Sequence, residues 1–469
     1  MNYYSSNYIL KTGFLKKKSK TMRNYLFLLF FLAFQFGTAN AQILTAKDSV
    51  YLASFPEFSK NVNTIKDQVW PGMTIGPFCG CRLNGPALLM NHPNPPKNSI
   101  QLSNGIYLLK QSEFGLNGAT QTEINGVLTA HNDFGNSRFA SVNQFYAELF
   151  HELHHVYQRN IIKNIRFDNV VDLLTYPEDF KNNAIKQYEN EILLQLFNGN
   201  PKTFDQNMNL FYSCRNKRLS IIGTKYLDYE KATESIEGPA FYCEYQYMKL
   251  FGSEKVDQEY TYKNFIYPLD KPWYSRDKVR PKCLFTGMIQ CLILSKHFTN
   301  WQEDYYSSGL YLNDYFFKKF NPQIVVLPDL STYIEDSKYF TKIASQKHKD
   351  NFNEFNKQKG IKITLIFKST PDFKGFDPMN AEAFNDSTIL HSTILKLAKM
   401  NNKLEFINYK AITSIAGQIW VVKSIVFFLP LQSSFFKDDR LIYNVNGINI
   451  NWHIVNVVKF VNAYSITLE

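Results

Sequence analysis

Between about residues 141 and 320 the apolar positions recur at helical spacing. Ser141 with Gln144 makes a capping box, and Val142, Phe145, Leu149, Leu153, Val156 and Ile161 then mark one face of the helix that follows. Further helices are expected at about 178–197, ending at Asn198-Gly199, at 204–222, at 226–251 with an interruption at Gly238-Pro239, at 282–298 and at 310–320. On either side the pattern changes. Residues 42–136 are rich in turn residues, with short apolar runs at 106–109 and 124–128 around Asn-Gly pairs, and read as irregular and β-rich. Residues 340–357 are polar and read as a linker or a solvated helix. Ile361, Ile363, Leu365 and Phe367 then alternate as a strand does. Leu404 and Phe406 do the same, 419–431 is a dense apolar run, and Asn446-Gly447 signals a hairpin. No internal repeat is evident. The expected fold is α+β, with a small N-terminal β region at 42–136, a mainly helical domain at 137–335 and a β-rich C-terminal domain of unassigned role at 360–469.

The start of the chain adds a destination. Lys16, Lys17, Lys18, Lys20 and Arg23 precede an apolar run from Tyr25 to about Phe36, and Ala39-Asn40-Ala41 follows as a small-x-small cleavage pattern. Residues 1–41 read as a signal peptide and the mature chain as exported: periplasmic, cell-surface or secreted. The apolar run is short for a bilayer span, so no stable membrane span is expected after signal removal; an uncleaved anchor is the alternative. The whole chain carries 52 Lys and Arg against 41 Asp and Glu. Six of the basic residues lie in 1–41, which leaves 46 against 41 and gives no reason to expect a nucleic-acid partner. All six cysteines (79, 81, 214, 243, 283, 291) follow the cleavage pattern, so some can pair in an oxidising compartment. Cys79 and Cys81 have no second pair at similar spacing and are read as structural. Cys283 and Cys291, eight residues apart on a helix, are too distant to bond to each other.

The helix after Ser141 contains His151-Glu152-Leu153-His154-His155, an H-E-x-x-H sequence. Side chains four apart share a helix face, so His151 and His155 can hold one zinc ion. Glu152 lies about 100° round the helix, placed to take a proton from water as a general base. His154 points elsewhere and reads as a supporting or surface residue. A third protein ligand is required, with one position left for water. Glu230, Glu234 and Glu237 share a later helix face. Of these Glu237 has the neighbourhood that suggests burial, with Gly238-Pro239 and then Phe241, Tyr242 and Tyr245 beside it, and a buried carboxylate needs a cation. Glu152-x-x-His155 is also the E-x-x-H of di-iron bundles, but no second helix carries a copy.

His-Glu-Leu-His-His followed by Glu237-Gly238-Pro239-Ala240-Phe241-Tyr242 resembles the gluzincin metallopeptidases, the clan of thermolysin and the zinc aminopeptidases. In these the second helix often reads Glu-Gly-x-Ala-x-Tyr. The resemblance covers about residues 100–320. It implies His151, His155 and Glu237 as metal ligands, Glu152 as general base, Zn2+ as cofactor, and a zincin-like catalytic domain with a peptide or protein as substrate. One departure is the 82-residue gap from His155 to Glu237, which makes the intervening helices an insertion. Glu191, 36 residues after His155, is the alternative third ligand. Tyr242 and Tyr245 are candidates for oxyanion stabilisation. Arg215 and Arg218 are read as partners of helix acids in preference to anchors for a substrate carboxylate.

The expected function is therefore an exported zinc-dependent metallohydrolase, a peptidase first and an amide or ester hydrolase second. An edge strand within 104–130 would pair with an extended peptide. The alternative is an exported binding or cell-surface protein whose zinc site is structural or degenerate. A structural site would be closed by a fourth protein ligand, such as His154 or a cysteine.

Overall fold

The computed structural model describes residues 46–469, apart from 83–84, 104, 111–113, 115, 117, 136–138, 163–167, 267, 270–275, 386, 432–434 and 446. The expected signal peptide at 1–41 lies outside the described residues. The chain is α+β: an N-terminal six-stranded sheet, a central helical region and a C-terminal near-closed β barrel. It divides into two compact units after Tyr157.

The first unit opens with a helix, α1 (Ala46–Val69), where the turn-rich composition suggested irregular structure. Its buried residues Tyr51, Phe55, Phe58, Val62, Ile65 and Val69 follow alternating spacings of four and three, an apolar helix face. The sheet comprises β1 (Phe78–Cys81), β2 (Pro86–Met90), β3 (Ile100–Ser103), β4 (Ile106–Lys110), β5 (Thr120–Ile124) and β6 (Val127–Asp133). Their order is β3-β4-β2-β1-β6-β5, which leaves β5 at an edge. Asn125 (φ 46°) and Gly126 (φ 76°) turn β5 into β6; both need the left-handed region that a two-residue hairpin demands. Because strand side chains alternate between faces, Phe78 meets Phe55 and Phe58 of α1, with ring centroids at 5.6 and 5.1 Å. Cys79, Cys81, Ala87, Leu89, Leu109 and Ile124 form a separate apolar cluster. Helix α2 (Val142–Ile161) follows. The cap half of the predicted capping box is present, with Gln144 N donating to Ser141 Oγ at 3.2 Å; the Gln144 side chain reaches back one residue further, accepting from Ala140 N at 2.9 Å.

The second unit begins at Gln158, in the last turns of α2. It continues with α3 (Val170–Leu174), α4 (Phe180–Asn198), α5 (Phe204–Phe251), α6 (Lys255–Thr261), α7 (Val279–His297), α8 (Trp301–Ser308), α9 (Leu312–Phe320) and α10 (Ser331–Asn356). The two helices expected at 204–222 and 226–251 lie end to end in α5, broken at Gly223 (φ 78°, ψ 169°). The expected interruption at Gly238-Pro239 instead falls within helix. Among the described residues no helix is long and apolar enough to cross a membrane.

The barrel strands are β7 (Ile361–Phe367), β8 (Asp372–Phe376), β9 (Ala381–Asn385), β10 (Thr388–His391), β11 (Ile394–Lys399), β12 (Asn402–Ile407), β13 (Ala411–Ala416), β14 (Gln418–Leu429), β15 (Phe436–Lys437), β16 (Arg440–Val445), β17 (Ile448–Phe460) and β18 (Ala463–Leu468). Their main path is β8-β11-β12-β17-β18-β7-β14-β13-β10-β9. The long β17 pairs with β12 and β16 through its first half and with β18 through its second. Ile361, Ile363, Leu365 and Phe367 point inward, as their alternation predicted, and join Phe406, Phe427, Ile450 and Trp452 in the barrel core. The polar stretch at 340–357 belongs to α10, which packs Phe352 and Phe355 against Leu390, Ile412 and Phe428.

The helices of the second unit meet around buried charge. Lys186 and Glu189 of α4 and Arg215, Arg218, Glu230 and Glu234 of α5 have side chains 0–3% exposed. Lys186 Nζ reaches Glu189 at 2.9 Å and Glu230 at 3.0 Å. Arg215 reaches Glu189 at 2.9 Å and Glu234 at 2.5 Å. Arg218 pairs with Glu189 at 3.0 Å and with Glu230. Both arginines thus pair with helix acids. Desolvation alone would raise the Glu189 and Glu230 carboxyls, but the surrounding guanidinium and ammonium groups outweigh it and hold both below the usual carboxylate range. Arg218→Met removes a cation from two buried carboxylates, and a loss of about 3–5 kcal/mol is expected in a denaturant titration. A carboxyl whose folded pKa is depressed contributes stability that is complete above its unfolded pKa and lost as pH falls. The thermal midpoint should therefore drop as pH is lowered through about 4.3 and below; a flat profile from pH 5 to 3 would contradict this.

Candidate metal site

The H-E-x-x-H residues lie in the middle of α2, whose apolar face (Phe145, Leu149, Leu153, Val156) is buried. His151 and His155, one turn apart, project together. Their Nε2 atoms are 3.0 Å apart and the rings lie 80° from coplanar, with centroids at 4.7 Å. A tetrahedral zinc ion with Zn–N bonds of about 2.0–2.1 Å places two ligand nitrogens roughly 3.3 Å apart. The pair is therefore close to the spacing an ion needs, and the same contact accommodates a ring-to-ring hydrogen bond.

Glu152 is 6% exposed, and its Oε2 accepts a hydrogen bond from Gln121 Nε2 on the edge strand β5. That contact ties the carboxylate to the edge strand. No sequence signal singled out Gln121. His154 is not at the surface. It is fully buried, with its ring against Trp70 (centroids 4.6 Å) and Tyr157 (6.1 Å). Desolvation, then the neighbouring His155 and His151, hold it well below the usual histidine pKa, so it is a neutral core group.

Glu237 is set by the packing of α5 on α7. A Cβ on Gly238 would lie 2.6 Å from the backbone carbon of Gly287, and a Cβ on Gly287 would lie 2.6 Å from the backbone oxygen of Glu234. Only glycine at both positions allows the two backbones this close. Pro239 carries no N–H for the Ser235 carbonyl, and the Tyr305 hydroxyl lies 3.5 Å from that oxygen. Gln158, one turn beyond His154, donates from Nε2 to the Ile236 carbonyl at 3.0 Å. Arg280 of α7 donates to Glu237 Oε1 at 2.9 Å and pairs with Asp168.

His151, His155 and Glu237 each offer one ligand atom, and these atoms all lie within 4.8 Å of one another, so the group can hold a metal ion. The donors fit zinc: two imidazole nitrogens and a carboxylate oxygen make three protein ligands, the number found in sites that keep a fourth position open. The other candidates lie elsewhere. Glu191 is exposed and accepts from the Tyr333 hydroxyl at 2.5 Å. Glu230 and Glu234 belong to the buried ion network. Tyr242 accepts from Ser295 Oγ at 2.9 Å, and burial pushes its pKa up to about 12. Tyr245 packs on Phe265, with centroids at 5.7 Å. All six cysteines are free and buried. Burial raises Cys79 well above the usual thiol range and, with the nearby Asp133, Cys81 to about 12, which keeps both protonated. Comparisons with protein-family models, curated proteins and solved structures return no match for this chain.

If the glycine contact sets the position of Glu237, Gly238→Ala should force α5 and α7 apart. A loss of about 1–3 kcal/mol is expected, together with weaker zinc binding by the folded fraction. Unchanged thermal midpoint and zinc affinity would show that the helices reach this geometry by other means.

Proposed function

We propose that this chain is an exported zinc-dependent metallohydrolase, most simply a peptidase. The observation that carries the reading is the convergence of His151, His155 and Glu237 within 4.8 Å. Three ligands, with neither His154 nor a cysteine among them, favour an open catalytic site over a closed structural one. The resemblance of the H-E-x-x-H helix and the Glu-Gly-x-Ala-x-Tyr segment to gluzincins supports the same assignment. Export rests on the sequence of residues 1–41.

A zinc ion held there supplies Lewis acidity, for water activation and for polarising the scissile carbonyl. The chain's own groups do the rest. Glu152 takes the proton of the attacking water and returns it to the leaving group. Gln121 holds one oxygen of Glu152 and fixes the carboxylate against β5. Among the described residues β5 has no partner strand on its outer side, where an extended peptide can add in register. Peptide is therefore preferred to a small ester or amide as substrate.

Metal analysis of the purified full chain should find about one zinc per molecule. Glu152→Gln should keep the zinc and lower cleavage of a broad peptide library by about 10²–10⁴-fold. Equal cleavage by the variant would remove the enzyme reading. Glu237→Ala should lose zinc while Glu191→Ala keeps it, and the reverse result would move the third ligand to Glu191.

A further inference from the structure

Glu237 does not stand alone on α5. Arg280, near the start of α7, donates through Nη2 to Glu237 Oε1 at 2.9 Å, and its Nη1 is paired with Asp168. Asp168 in turn lies beside α5: the Thr233 hydroxyl is 3.3 Å from its Oδ2 and 3.0 Å from the Tyr229 carbonyl, between which its single hydrogen is shared. Thr233, Asp168, Arg280 and Glu237 thus form a closed ring that leaves α5 and returns to it one turn later. The three charged side chains are only 13–18% exposed, so water competes weakly for these contacts. The rigid guanidinium plane holds its two nitrogens in a fixed relation, so an Nη1 paired with Asp168 sets where Nη2 meets Glu237, which a lysine ammonium cannot do.

We infer that Arg280, anchored by Asp168, is the positioning residue for the third metal ligand. The guanidinium takes Oε1 of Glu237 and so turns a single carboxylate oxygen towards His151 and His155. It also withholds Asp168 from the ion. The result is a Glu237 carboxylate held from one side while its group with His151 and His155 counts three protein ligands. This inference rests on the metal reading above. It adds residues that neither the H-E-x-x-H sequence nor the Glu-Gly-x-Ala-x-Tyr segment contains. Groups bonded to metal-ligating side chains commonly change metal affinity by about 10–100-fold when removed.

The test is an equilibrium zinc titration of the full-length folded protein against a chromogenic chelator, with zinc alone as the probe and no activity assay. Arg280→Met should bind zinc about 10–100-fold more weakly than the parent. Arg280→Lys, which keeps the charge and loses the rigid plane, should recover part of that loss. Asp168→Asn, which frees the guanidinium from its anchor, should weaken zinc in the same direction; it also serves if Arg280→Met does not fold. Zinc affinity in folded Arg280→Met or Asp168→Asn equal to or tighter than the parent's overturns the positioning role and leaves the metal site intact. A parent protein that binds no zinc overturns the metal reading itself, and the positioning role falls with it.

Discussion

The depth at which α5 meets α7 governs the second unit. At Gly238 and Gly287 the two backbones approach so closely that a single methyl group on either would overlap the other. Helices usually pack 8–10 Å apart, with side chains between their axes, and paired glycines remove that layer. The contact has consequences on both sides. Thr286, next to Gly287, donates to Glu234 at 2.6 Å, which joins α7 to the buried ion network. In the other direction, Arg280 reaches Glu237, the residue beside Gly238. One backbone contact thus places both the charged core and the acidic member of the metal group.

The buried charges answer a different need from stability. Three cations and three carboxylates at 0–3% exposure must give up hydration that their mutual attraction only about restores. A hydrophobic core of equal volume would hold α4 to α5 as well or better. It would not distinguish one register from the next. A slip of one turn between these helices keeps apolar surfaces in contact, but it separates Arg215 and Arg218 from Glu189 and strands the charges in low dielectric.

The sequence made local periodic features legible and left most long-range relations hidden. The H-E-x-x-H helix, its Ser141 cap and the inward alternation of Ile361–Phe367 follow from spacing alone, and the structure has each. Helix α1 was legible too, through Tyr51, Phe55, Phe58, Val62, Ile65 and Val69. The turn-rich segment after the helix pulled the reading towards irregular structure. Gly238-Pro239 looked like a helix break because composition does not reveal a close crossing. The real break is Gly223, inside the 222–226 gap that the helical spacing had left between two helices. Arg280 and Asp168 were invisible because their significance depends on where Glu237 lies. Gln121 was invisible because an edge strand is defined by the whole sheet order.

The 81 residues between His155 and Glu237 are the main departure of this sequence from the motif it resembles. A ligand's position in space is fixed by the helix that carries it and by what that helix packs against; the length of chain leading to it has no direct bearing. Here the extra residues build α4 and the first half of α5, and these supply Lys186, Glu189, Arg215 and Arg218 to the network that sets the register of the second half. The second half then meets α7 at the glycines and presents Glu237. The inserted helices are therefore part of the framework that sets where Glu237 lies within the second unit.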